Sequence, residues 1–174
     1  MEDRTVIVAI DPSLTGTAVC IGDERAYRMK VFKSKPLGTL VKHRVRRYRE
    51  LTNQIRDYIR EFQQPREILI EGYSYGSKYS SEVLAEYGGI LRDTLVTIAP
   101  THDVAPTTVK KFATGVGNAD KVRVASSLAK RYDVEFKTTD EWDAFGLFRL
   151  GLLTLGLVEA DNQKQTEAAE AVIK

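Results

Sequence analysis

Cysteine is nearly absent from this chain of 174 residues: Cys20 stands alone, inside an apolar run. A single thiol excludes an internal disulfide and suits a reducing, cytoplasmic setting, with Cys20 expected to be buried and inert. Long apolar runs are missing too. Nothing approaches the ~18 residues of a membrane helix, and the charged opening Met1–Arg4 is not that of a targeting segment, so no membrane partner is expected. Internal repeats, linkers and low-complexity stretches are lacking, which leaves one compact domain as the natural reading. Acidic residues, finally, are missing from Arg25 to Arg49, where ten Lys or Arg occur. Such a one-sign block is either a solvated helix face or a footprint for phosphates, with Arg44 and Arg47 as candidate contacts.

What is present reads as strands first, then alternating helices and strands. Thr5–Ile10 is a β-branched apolar run that stops at Asp11-Pro12, as a buried strand would, because proline restricts the residue before it to an extended backbone. Gly16–Ile21, a Gly22-Asp23 turn and the more polar Arg25–Phe32 complete an antiparallel meander. A helix is expected from about Thr39 to Phe62, ended by Pro65, and a short buried strand at Glu67–Glu71. The polar, aromatic loop Tyr73–Ser80 leads to a helix near Ser81–Ile98, where Gly88-Gly89 suggests a close helix–sheet approach. A strand at His102–Ala105, a short helix from Pro106, a Gly115–Asn118 turn and helices at Ala119–Tyr132 and Asp140–Leu155 follow. The expected unit is therefore a mixed α/β sheet with helices on its faces over residues 1–158, with 159–174 a weakly helical or flexible tail.

The chemistry lies in carboxylates. Two apolar strands far apart in sequence each end in an acid, Asp11 and Glu71, and the ends of strands in open α/β sheets are where ligands gather. Asp140-Glu-Trp-Asp143 adds two acids three apart at the start of a helix, hence on one face. Each alone has an ordinary explanation as a cap, a first-turn residue or a turn residue. Together they form a crowd of like charges that needs cations between them, and all-oxygen donors suit Mg²⁺ or Mn²⁺ rather than zinc.

Asp11 closing the first strand before a Thr/Gly-rich hairpin, Glu71 closing the fourth, and Asp140-x-x-Asp143-Ala144 opening the last helix resemble the RuvC family of Holliday-junction resolvases. Ala119–Val124 after Gly115-Val-Gly117 resembles that family's glycine turn and helix, so the resemblance spans about residues 5–156. It implies an RNase H-like five-stranded sheet and a homodimer that nicks two strands of branched, four-way DNA. It also implies two divalent ions held by Asp11, Glu71, Asp140 and Asp143, and ends bearing 5′-phosphate and 3′-hydroxyl. It further implies lysines beside the scissile phosphate, for which Lys110, Lys111 and Lys121 are candidates, and an aromatic on the loop after the second acid, Tyr73 or Tyr75, that stacks on junction bases. Lys78 on that loop and Arg123 beside Lys121 are further candidate DNA contacts. Tyr79 and Tyr87 are expected in the core, Trp142 beneath the site, and His43 and His102 away from the chemistry.

Two departures, a last helix poor in alanine and a basic helix from Thr39, point to a divergent branch such as a phage or mobile-element one. The rival readings are a flap, fork or RNA-directed nuclease of the same fold, a branch-binding protein that does not cut, and an actin-like ATP-binding fold. The last is disfavoured by the want of a second Asp-Gly-Thr hairpin, and the second by the complete set of acids.

Overall fold

The computed structural model describes residues 4–73 and 81–172. Strands β1 (Ile7–Asp11), β2 (Thr17–Gly22) and β3 (Tyr27–Phe32) form the antiparallel meander, and β4 (Glu67–Glu71) and β5 (Thr101–Val104) continue the sheet in parallel. The order across it is β3-β2-β1-β4-β5, so β1 is central and pairs antiparallel with β2 and parallel with β4. The helices are α1 (Val41–Ile59), α2 (Ser81–Leu95), α3 (Pro106–Thr114), α4 (Lys121–Tyr132), α5 (Thr139–Thr154) and α6 (Gln163–Glu170). This is the mixed sheet with flanking helices that the pattern of runs and breaks implied. Among the described residues no helix is long and apolar enough to cross a membrane.

Strand alternation divides the core in two. Val8 and Ile10 of β1, Val19 and Ile21 of β2, and Ile68 and Ile70 of β4 pack with Tyr48, Leu51 and Ile55 of α1 and with Tyr87 and Leu91 of α2. Ile7 and Ala9, Ala18 and Cys20, and Leu69 face the other way, onto Ala144, Phe145, Leu147 and Phe148 of α5. Because β1 is buried on both faces it reads as an unbroken apolar run. Helix α5 lies close on the sheet because position 151 is glycine: a Cβ there would come within 2.7 Å of Leu69 Cδ1 and 2.9 Å of Ile7 Cδ1.

One local expectation changes, and two others gain detail. The pair Gly88-Gly89 does not serve a helix–sheet approach. A Cβ on Gly88 would meet the Tyr73 hydroxyl at 2.4 Å and Arg92 Nη1 at 2.8 Å, whereas one on Gly89 would meet nothing. The segment after residue 158 contains α6, docked on α3 and α5 with Gln165, Ala168 and Ala169 buried. Tyr87 is fully buried as expected, but its hydroxyl also shares a 2.9 Å hydrogen bond with Thr17 Oγ1. Tyr79 lies outside the described residues.

Candidate active site

The parity of β1 and β4 decides where their terminal acids point. Ile7, Ala9 and Leu69 face α5, so Asp11 and Glu71, two residues on along each strand, face it as well. The parallel register Ile10↔Ile70 sets the two acids side by side at the same edge. Helix α5 begins at that edge. Its first turn is fixed by a capping box in which the Thr138 hydroxyl accepts from the Glu141 N–H and Glu141 answers to the Thr138 N–H. That start places Asp140 and Asp143 over the two strand ends. The β1–β2 turn closes the group from the other flank, with Gly16 so near that a Cβ would sit 3.2 Å from Asp140 Oδ2.

The electrostatics are those of crowded acids. Asp11 is only 6% exposed. Burial foremost, then the charges of Glu71 and Asp143, a side-chain hydrogen bond with Glu71, and the charge of Asp140, hold its carboxyl well above the usual carboxylate range. Glu71 is pushed up to about 7, chiefly by burial and next by Asp143, against the pull of the bond to Asp11 and of Lys121 and Lys110. Asp140 is raised by burial and by Asp143, with Lys121 opposing. Lys121 Nζ bonds Asp143 Oδ2 at 2.9 Å, and Asp143's side chain is 13% exposed. Burial works to lower the Lys121 ammonium, but its bond to Asp143 and the charges of Asp11 and Asp140 outweigh that and raise it.

The donor set fits hard divalent cations: four carboxylates, among the described residues no thiol or imidazole beside them, and carboxyls at Asp11 and Glu71 whose titration is raised by burial and by crowding. Among the described residues no three His, Cys, Asp or Glu side chains already share an ion-sized ligand sphere, since Asp143 is drawn to Lys121 and Asp11 to Glu71.

The basic and aromatic candidates divide. Lys110, on α3 at the same edge, acts on the Glu71 charge. Lys111, the next residue, is turned away by the helical step, and its ammonium pairs with Glu167 of α6 at 2.6 Å. Arg123 is exposed beside Lys121 on the first turn of α4, a turn capped by Asp120. Arg44 pairs with Glu86, both Nε and Nη2 bonding its carboxylate at 2.8 and 2.9 Å. Arg47 donates to the Leu14 and Ser34 carbonyls at 2.6 and 3.1 Å and so braces the loop after Asp11. Of the basic block, Arg25, Arg28, Lys30, Lys33, Lys35, Lys42, Arg46 and Arg49 are exposed. Tyr73 is also engaged: its hydroxyl donates to the Ala85 carbonyl at 3.3 Å, and the Arg92 guanidinium lies 4.6 Å from its ring centre. Tyr75 and Lys78 lie outside the described residues. Trp142 turns from the acids and packs edge-on against Phe136 at 4.9 Å. His102 bonds Glu67 at 2.7 Å, at the far end of β4 from Glu71.

Two contributors were not read from the sequence. Thr17 donates to the Ser13 carbonyl at 2.6 Å and accepts from the Ser13 N–H at 3.2 Å, which pins the turn that follows Asp11. A hydroxyl at the mouth of an otherwise apolar strand was a faint sign of it. Arg92, whose partners lie 11 to 21 residues away except for one within its own helix, left none.

Comparison with known proteins agrees with this geometry. Residues 7–147 match the family model for crossover junction endodeoxyribonuclease RuvC. Among solved structures, the chain resembles Thermus thermophilus RuvC with a TM-score of 0.64 at 16% identity, over 82% of this chain and 90% of that one. For T. thermophilus RuvC in complex with a Holliday junction substrate the TM-score is 0.65 at 15% identity, over 83% and 90%. For the yeast mitochondrial Holliday junction resolvase it is 0.58 at 12% identity, over 97% and 81%. At such identities the likeness is one of fold. No curated protein sequence matches at a significant level.

Proposed function

The chain belongs to the RuvC family of crossover junction endodeoxyribonucleases, and from that premise we propose that it resolves four-way DNA junctions by paired hydrolytic nicks leaving 5′-phosphate and 3′-hydroxyl ends. The observation that carries the reading is the meeting of Asp11 and Glu71, on adjacent parallel strand ends, with the first turn of α5. Asp11, Glu71, Asp140 and Asp143 would hold two divalent ions, Mg²⁺ or alternatively Mn²⁺, whose chemistry is to lower the barrier to water attack and to offset charge on the leaving oxygen.

The chain's own groups have distinct tasks. Asp11, most deeply buried and flanked by the other three, would be the central ligand. Glu71 and Asp143 flank it, and the half-buried Asp140 is a ligand or a proton acceptor. Lys121 balances the acids and would offset charge on a phosphate at this edge; Lys110 is the second cation there. Arg123, Lys33, Lys35 and Lys42 would hold the backbone of the arms, an attraction that weakens as salt rises. With Tyr73 tied to α2, Tyr75 is the better candidate to stack on unpaired bases, and Lys78, three residues on in the sequence, is a further candidate contact. Paired nicks call for two such sites, hence a homodimer. The nuclease unit would be residues 1–158, with α6 an appendage docked on it. A reducing, DNA-bearing compartment such as the cytoplasm suits a chain whose lone thiol, Cys20, is buried.

Two substitutions test the division of lysines. Lys121→Ala is expected to slow cleavage of a labelled junction roughly tenfold to a hundredfold, as loss of a group that stabilises transition-state charge does. Lys111→Ala should leave the rate unchanged within about twofold, since it loses only an exposed ion pair with Glu167. Equal loss in both would refute the assignment. The products should be sealed by DNA ligase without processing; unsealable nicks would contradict the proposed ends.

A further inference from the structure

We propose that Arg92 is a positioning residue for this nuclease: from α2 it fixes the main chain at Glu71, and thereby where the Glu71 carboxylate stands beside Asp11. The inference rests on the reading of Glu71 as an ion ligand.

Arg92 lies near the end of α2 with its side chain 17% exposed. Its Nη2 donates to the Glu71 carbonyl at 3.3 Å. Its Nη1 donates to the Tyr73 hydroxyl at 3.1 Å and to the Gly88 carbonyl at 3.2 Å. Its Nε donates to the Asp103 carboxylate on β5 at 2.8 Å. One planar fork thus ties the last residue of β4, the residue two beyond it, the neighbouring strand and its own helix, a reach that the single ammonium of lysine cannot reproduce. The seat is cut to fit. Glycine at 88 lets the Tyr73 hydroxyl and Arg92 Nη1 lie against the helix backbone; a Cβ there would meet both and they would have to shift. On the other flank, the Gly72 N–H donates to the Val104 carbonyl at 2.8 Å, so residues 71–73 are held between β5 and α2.

The influence is geometric rather than electrostatic. Burial, Asp143, Asp11, Lys121 and Lys110 are the leading influences on the Glu71 carboxyl. What Arg92 holds is the strand end itself. Groups that orient a metal ligand without touching the ion commonly change ion affinity by about 10–100-fold when removed.

The test reads ion binding without DNA. Mn²⁺ is titrated, followed by its EPR signal, against the full chain, Arg92→Met, Arg92→Lys, and each change in a Glu71→Gln background, alongside binding of a four-way junction in chelator. Arg92→Met is expected to weaken Mn²⁺ about tenfold and Arg92→Lys by less. Junction affinity should stay within about twofold, because the Arg92 guanidinium is 17% exposed and already bonded to Glu71, Tyr73, Gly88 and Asp103. With Glu71→Gln in place, the Arg92 substitutions should change Mn²⁺ affinity less than about twofold, since the ligand they displace is gone. Unchanged Mn²⁺ affinity in Arg92→Met, or the same loss in both backgrounds, would overturn the proposal. Should Arg92→Met not fold, Arg92→Lys decides by the same criteria. A chain that binds Mn²⁺ yet leaves junctions uncut refutes the resolvase reading while the Arg92 result stands.

Discussion

Asp11→Asn is expected to stop junction cleavage, by roughly 10³-fold or more, while junction binding stays within about threefold and thermal stability in chelator rises. The first part follows from the place of Asp11 among the other three acids: loss of the shared ligand withdraws several kcal/mol of transition-state stabilisation, and each 1.4 kcal/mol is about tenfold in rate. Binding survives because affinity for branched DNA comes mainly from phosphate contacts outside the acids. The gain in stability follows from burial. Asp11 is 6% exposed and crowded by three other carboxylates, so its charge opposes folding. An amide of the same shape removes that repulsion, and each kcal/mol regained moves the melting temperature by about 2–4 °C in a chain of this size. Site residues that are selected for chemistry at the expense of stability behave in this way. Cleavage and calorimetry on the same preparation check both halves; a variant that is less stable in chelator would mean that the Asp11 carboxyl is a structural bond donor and not a frustrated ligand.

The second expectation concerns pH. Glu71 is raised from the ordinary 4.5 to about 7, and Asp11 is raised as well. Between those limits the folded chain holds more protons than the unfolded chain, so the stabilisation is fully present below the unfolded value and is lost as pH rises through the folded one. In chelator, the free energy of unfolding is therefore expected to fall by about 1–3 kcal/mol between pH 4.5 and 8. Asp23 and Glu167, whose carboxyls are lowered, contribute in the opposite sense but only in more acid solution. Glu71→Gln should flatten the decline, and the difference between the two profiles isolates this site from every other titrating group. Mg²⁺ at pH 8 should restore the lost stability, because it binds only the folded state. A wild-type profile parallel to that of Glu71→Gln would mean that the acids are less crowded than the fold implies.

How far the sequence could carry these arguments depended on whether a contact was local. Asp11 and Glu71 were legible because each ends an apolar run broken by Pro12 or Gly72, and Asp140 and Asp143 because a three-residue spacing on a helix start is itself geometry. The succession of strands and helices along the chain followed from the same breaks. Side-chain allegiance did not. Nothing in the run of bases from Arg25 to Arg49 distinguishes Arg44, taken by Glu86, or Arg47, spent on carbonyls at Leu14 and Ser34, from the exposed Lys33 and Lys42. The adjacent Lys110 and Lys111 look alike until the helix turns one toward Glu71 and the other toward Glu167. Gly88 reads as a contact with the sheet, whereas its partners are the Tyr73 hydroxyl and Arg92, which meet it only in three dimensions. Tertiary partners far apart in sequence decided each of these, and no periodicity reports them.

The most direct test of the central claim is single-turnover cleavage with Mg²⁺ of a labelled four-way junction, against a flap and a linear duplex of the same sequences. Symmetrical nicks in two opposed strands of the four-way junction, with the flap and the duplex cut far more slowly, is the predicted result. Faster cutting of the flap, or tight binding of the junction with no cleavage in either Mg²⁺ or Mn²⁺, would contradict it.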